Sequence, residues 1–274
     1  MPNSSYTGTM APAGFSTSTN RITDAGYGYD ALGNLNQMPA LGTAKYDAEN
    51  RLVAVCTNDT TATCTNQAAA GRTIYQYDGD GRRVMKQLPD GTTTYYVYDA
   101  SGQLAVELGG PAFAPGTRYF TVDQLGSTRA VTDATGNVLA RHDYRPFGDE
   151  IAGIRPVGIG YGGDPGETML FTGKERDAET GLDFFESRHF SSAQGRFTSP
   201  DSMIMKKEWF ADPQRWNHYA YVRNNPLRYV DPNGEDLTIV YSYGPDASDE
   251  QKKWFEANKA QIFAAIQKKS MTLV

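Results

Sequence analysis

A chain of 274 residues is long enough to bury a real core, as one large domain or two modest ones. Its net charge of -6, from 26 basic and 32 acidic residues, argues against nucleic acid as the main partner, because phosphate binding needs a basic face. Apolar residues at 39% and charged residues at 21% are both slightly low, whereas 28 Gly, 17 Tyr and 12 Phe are many, which favours short strands and turns over helix bundles.

Residues 1–20, rich in Ser, Thr, Pro and Gly, read as a poorly ordered leader. They have neither the basic n-region nor the apolar h-region of a signal peptide, and no apolar run reaches the roughly 18 residues that a membrane-spanning helix needs. From Arg21 a unit recurs: YGYDALGNL (Tyr27 to Leu35), KYDAENRL (Lys45 to Leu52), YQYDGDGRRV (Tyr75 to Val84) and YVYDASGQL (Tyr96 to Leu104). Weaker copies follow at Phe120 to Val131 and Val131 to Leu139. In each, alternation puts the rings on one face of a strand and the Asp caps a turn. Gly33, Gly81, Gly102 or Gly136 supplies the positive φ that closes it, Asn50 taking that place in the second copy, and Leu35, Val84, Leu104 or Val138 starts the return strand. Hairpins at this spacing must stack, since one hairpin cannot bury its own apolar face.

Cys56 and Cys64 bracket a polar loop and read either as a disulfide or as two free thiols; without a nearby His or second Cys pair they make no metal site. Pro146 and Gly148 turn the chain within HDYRPFGDE, and residues 151–172 form a Gly/Pro loop and its exit. Residues 173–235 do not repeat; they are short strands and specified turns ending in WNHYAYVRNNPLRYVDPNG. Beyond them, Leu237 to Tyr243 reads as a strand. Ser248 with Gln251 resembles a capping box opening an amphipathic helix to about Lys269, the start of an α/β region at residues 236–274.

The repeats, together with YRPFG, RFTSPD and HYAYVRNNPLRYVDPNG, resemble the RHS/YD-repeat family, and the block from Gly173 to Gly234 resembles its RHS repeat-associated core domain. The resemblance implies a mainly β fold: YD-repeat hairpins of residues 21–150 forming part of a spiralled shell, closed by the core. Its implied role is to enclose or present a variable C-terminal toxin or effector domain in interbacterial competition or toxin delivery. The implied partners are the rest of a larger shell, its C-terminal cargo, and an immunity protein or secretion-system component. The implied location is secreted or at the cell surface as part of a larger protein, cytoplasmic before export. In several members the core is an aspartic autoprotease that cuts after a Pro-x-x-x-x-Asp-Pro-x-Gly-Leu sequence. That sequence maps to Pro226, Asp231, Pro232 and Gly234, with Glu235 standing where Leu is expected. The second acid maps to Asp201, with Arg196 or Arg188 to hold charge; two carboxylates in close approach cannot both ionise, so one serves as acid and the other activates water.

Bland readings stand beside these. Asp231 and Asp201 are each turn caps in their own right. His142, His189 and His218 have aromatic neighbours and read as packed or hydrogen-bonded structural positions. The aromatic rows read as core, with a carbohydrate-binding adhesion surface as the alternative. No GxSxG and no phosphate-binding Gly loop is present, and no cofactor or metal is expected.

Overall fold

The computed structural model describes residues 14–39, 41–57, 64, 71–110, 116–151, 167–202, 213–235, 238–239, 248–254 and 256–257. Within the expected tail, only the two-residue strand Thr238–Ile239 and the helical residues 249–254 and 256–257 are described, with Ser248 capping as expected: its amide donates to Gln251 Oε1 at 2.8 Å, and its Oγ accepts the Gln251 amide at 3.2 Å. The rest of that strand, the helix beyond 257, residues 1–13 of the leader, most of the 151–167 loop and residues 203–212 lie outside the described residues.

The repeats fold as antiparallel hairpins. Strands β1 (Gly28–Tyr29), β2 (Leu35–Met38), β3 (Gly42–Tyr46), β4 (Leu52–Cys56), β5 (Arg72–Tyr77), β6 (Arg83–Gln87), β7 (Thr93–Tyr98) and β8 (Leu104–Gly109) form one eight-stranded meander in chain order. The two weak copies give a separate three-stranded sheet of β9 (Arg118–Val122), β10 (Thr128–Asp133) and β11 (Val138–Arg141).

One corner is used six times, at Asp30, Asp47, Asp78, Asp99, Asp123 and Asp133. In each, the Asp Oδ1 accepts the amide four residues on at 2.9 Å. The residue three on, Gly33, Asn50, Gly81, Gly102, Gly126 or Gly136, takes φ between 62 and 98°. An L side chain other than Asn or Asp is costly there, which is why Gly recurs. The tyrosine just before the corner then ties neighbouring hairpins together: the Tyr46, Tyr77 and Tyr98 hydroxyls donate to the carbonyls of Leu35, Leu52 and Arg83, the first residues of β2, β4 and β6.

One expectation about these strands is corrected. The inward-facing position held by Leu35 and Leu52 is filled in the third copy by the fully buried Arg83, not by Val84, because acidic groups from the second half of the chain converge on it.

The non-repeating block adds β12 (Glu175–Arg176), β13 (Asp183–Phe185), β14 (Arg188–Ser191) and β15 (Arg196–Phe197) as a four-stranded sheet, and β16 (Tyr229–Val230) paired with β17 (Thr238–Ile239). It has its own aromatic core of Phe171, Phe185, Phe190, Phe197, Tyr221, Val222 and Tyr229. The meander's core of Leu35, Met38, Leu41, Leu52, Val55 and Tyr75 also takes in Leu182 from the block, so the two halves share buried surface. Cys56 and Cys64 are disulfide-bonded and buried with Ala54.

Candidate functional site

The expected cleavage motif forms a tight turn against β13 and β14. It follows three successive residues with positive φ, Val222, Arg223 and Asn224, a conformation that is strained for a β-branched residue. Asp231 Oδ1 accepts the amides of Gly234 at 2.7 Å and Asn233 at 3.3 Å, and Asn233 Oδ1 accepts that of Glu235 at 3.1 Å. Gly234 has φ +81° and lies so close to the Phe185 carbonyl that no Cβ fits. From outside, Lys174 Nζ donates to the Pro232 carbonyl and Ser187 N to that of Asn233 at 3.1 Å.

Arg188, on β14, is the centre of this arrangement. Its Nε donates to the Gly234 carbonyl, and its Nη1 donates to the His218 carbonyl at 3.1 Å. Its Nη2 lies 3.5 Å from Asp201 Oδ2 and 3.6 Å from Asp231 Oδ2. The guanidinium stacks 3.7 Å from the Phe197 ring centroid. Burial pushes the Arg188 pKa down, while Asp201, Asp231 and Glu235 work to keep it charged. The Asp201 amide is fixed by the His218 carbonyl at 2.9 Å, and Glu235 is exposed, its carboxylate 3.5 Å from Ser202 Oγ.

The two mapped acids therefore meet across one guanidinium nitrogen, and that nitrogen belongs to Arg188. Arg196 sits elsewhere, between the rings of Phe15 and Tyr219 at 4.9 and 4.8 Å, with Nη2 3.4 Å from Asn217 Oδ1. Pro226 precedes the turn, before β16. A cleft of about 660 Å³ opens beside the turn, bounded by the corners at Asn50–Arg51 and Gly81–Arg82 and by Arg188, Ser199 and Glu235. Chemically, the arrangement offers two carboxylates, a polarising cation and a rigidly held peptide turn.

A second polar cluster gave no warning in the repeat pattern. Arg83 Nη1 binds both Asp177 oxygens at 3.0 and 2.8 Å and its Nη2 binds Glu175. Lys86 Nζ lies 2.9 Å from both Glu175 Oε1 and Asp177 Oδ1. Tyr96 donates to Glu175 at 3.0 Å and Tyr75 to Glu179 at 2.8 Å. Burial would raise the Asp177 carboxyl, but Arg83 and Lys86 outweigh it and hold the group well below the usual carboxylate range. Glu179 is raised, first by burial and then by the neighbouring Asp177 charge. The one available signal was the spacing of Glu175, Asp177 and Glu179, acids two apart that an extended chain presents on one face. His189 is buried against Tyr75 and Phe184, and His142 is buried with Nδ1 2.6 Å from Glu150 Oε1. His218 is half-buried. Among the described residues no group of His, Cys, Asp and Glu forms a metal site.

A meander of corner-capped hairpins, fastened by buried charge to a non-repeating aromatic block, defines a YD-repeat β-shell protein. The family model described as Teneurin YD-shell matches residues 113–227. Salivary gland surface protein 1 of Aedes aegypti is 34% identical over 157 residues, 56% of this chain and 4% of that protein. The tRNA3(Ser)-specific nuclease WapA of Bacillus spizizenii is 28% identical over 249 residues, 84% of this chain and 9% of that one. The chain thus spans less than a tenth of the length of these relatives. Among solved structures, TcdB2-TccC3-Cdc42 is similar in fold, with TM-score 0.57 and 22% identity over 81% of this chain and 12% of that one. Over the residues these comparisons cover, the chain is similar to RHS/YD-repeat shell proteins.

Proposed function

We propose that this chain is a wall segment of an RHS shell that encloses or presents a variable C-terminal effector region. In this reading residues 21–150 are wall, 173–235 are the RHS repeat-associated core that closes it, and 236–274 begin the carried region. The observation that carries it is the buried cluster of Arg83, Lys86, Glu175 and Asp177, which fastens the meander to the block across some 90 positions of sequence. A buried charge cluster of this kind holds a fixed relative arrangement, which a container needs. The Bacillus relative is named as a nuclease, but what it shares is 9% of its length; the reading transfers the shell and not the nuclease. The Cys56–Cys64 bond suits an oxidising compartment, consistent with a place outside the cell as part of a longer protein. The partners we infer are the remainder of the shell, its cargo, and an immunity or secretion component. Limited proteolysis with mass readout tests the wall reading. We expect one protected fragment covering residues 21–235, and separate release of residues 21–150 and 173–235 would contradict it.

A second reading is favoured by Arg188 lying between Asp201 and Asp231 while gripping the Gly234 carbonyl: autoproteolysis after the motif, beside Glu235. One acid would protonate the leaving amine and the other activate water, with Arg188 lying between the two acids and fixing the adjacent turn through the Gly234 carbonyl. Incubation of the purified chain should then yield a product ending near Glu235 that Asp201→Asn and Asp231→Asn each abolish. Recovery of the intact mass alone would remove this reading and leave Asp231 as a turn cap.

A further inference from the structure

Asn233 is the one asparagine of this chain that is followed by glycine. In such a pair the glycine nitrogen can attack the asparagine side-chain carbonyl, because glycine brings no Cβ to hinder the approach. Two things keep the reaction slow in most chains. A peptide N–H is a very weak acid, and the carbonyl oxygen has no donor to take up the charge that develops on it.

The turn supplies both needs. The Gly234 amide, which would be the nucleophile, donates to Asp231 Oδ1 at 2.7 Å, so a buried carboxylate stands within reach of its proton. The Glu235 amide donates to Asn233 Oδ1 at 3.1 Å, where the oxyanion would form. That second bond closes a ring through the Asn233 side chain and the Gly234 peptide, which folds Cγ back over the Gly234 nitrogen. Contacts from outside hold the frame: Ser187 N donates to the Asn233 main-chain carbonyl at 3.1 Å and Lys174 Nζ to that of Pro232. Asn233 and Glu235 both line the cleft beside the turn, which gives water access.

We infer that Asn233 is a self-modification site, at which the folded turn promotes cyclisation to a succinimide and its opening to aspartate and isoaspartate. Asp231 takes the Gly234 proton as the nitrogen bonds to Cγ, and the carbonyl electron pair moves onto Oδ1 beside the Glu235 amide. Its return breaks the Cγ–Nδ2 bond, and Nδ2 leaves as ammonia with the proton that Asp231 took. Water then adds to either carbonyl of the imide and breaks one of its C–N bonds, giving one new carboxylate and restoring a peptide N–H. In isoaspartate the main chain runs through Cβ and gains a methylene. Gly234 already lies tight against the Phe185 carbonyl, so the bond from Arg188 to the Gly234 carbonyl must shift. The junction between residues 173–235 and 236–274 thus carries a slow, one-way change that needs no break in the chain.

Peptide mass mapping of the full chain, incubated for several days, tests this. The tryptic peptide from Tyr229 to Lys252 holds no other Asn, and its fragment masses place the change from amide to acid at 233. The folded chain should convert at least about tenfold faster than the same chain unfolded in guanidinium chloride. Its rate should also stay nearly flat between about pH 6 and 8, where that of the unfolded chain rises with hydroxide. Asp231→Asn keeps the acceptor oxygen but loses the base, and should slow the folded reaction about a hundredfold. If that variant misfolds, the folded and unfolded wild type and their two pH profiles decide. Slower conversion in the folded chain than in the unfolded one, or a folded rate that rises as steeply with pH, overturns the inference. So does an unchanged rate in folded Asp231→Asn.

Discussion

Gly136 and Gly148 take nearly the same backbone conformation, φ +86° and +82°, in different surroundings. A Cβ on Gly136 meets open space, whereas one on Gly148 would enter the Phe171 ring. Alanine at 136 should therefore cost only the left-handed penalty, about 1 kcal/mol. Alanine at 148 should cost that plus overpacking, about 3 kcal/mol in all. Urea denaturation of the two variants checks this, and equal losses would mean that the Phe171 contact yields easily. The corner residues were legible from the sequence because their chemistry is local: an Asp oxygen, an amide four residues on and a residue free to adopt positive φ. Arg188 was named only as one of two candidates near the acids, and nothing in its neighbours separates it from Arg196. What separates them is tertiary: the turn at Gly234 packs on β14, which carries Arg188.

At the scale of elements, the tyrosine ties and the charge cluster do different work. Tyr98→Phe removes one hydroxyl bond to the Arg83 carbonyl and should cost about 1 kcal/mol. Arg83→Met leaves Asp177 and Glu175 buried with Lys86 as the cation between them and should cost about 3 to 5 kcal/mol. The cluster also carries a pH signature through His189, which faces Asp177, Arg83, Glu175, Tyr75 and Phe184 and whose pKa burial pushes below 6.5. The folded state resists a proton that the unfolded chain accepts. The stability contributed by neutral His189 is thus complete above about pH 6.5 and is lost as pH falls through the lowered folded value. Asp183, pushed up to about 6 by burial, works in the opposite direction over part of that window, so the measurement must be differential. Between pH 7.5 and 5, the wild type should lose more unfolding free energy than His189→Gln, and an equal or smaller loss would contradict the assignment. The hairpins were readable because their contacts join neighbours in sequence. The cluster was not, because its partners are 89 to 94 residues apart and a buried arginine looks like a polar return-strand residue until its acids are placed.

Across the whole molecule, the same contrast separates what the sequence could show from what it could not. Six Asp-centred corners and the alternation of rings announce a wall of hairpins, and an all-β architecture follows from them. Its attachment to the block does not follow, since it depends on Leu182 entering the meander core and on four charged side chains meeting out of water. If that attachment defines the molecule, the meander and the block should open together. Native-state hydrogen exchange along a denaturant series measures this most directly. Amides of β5 and β6 should share one opening free energy with those of β13 and β14, and Arg83→Met should lower both together. Two sets of amides opening at different free energies, with only the meander responding to Arg83→Met, would contradict a single fastened shell segment.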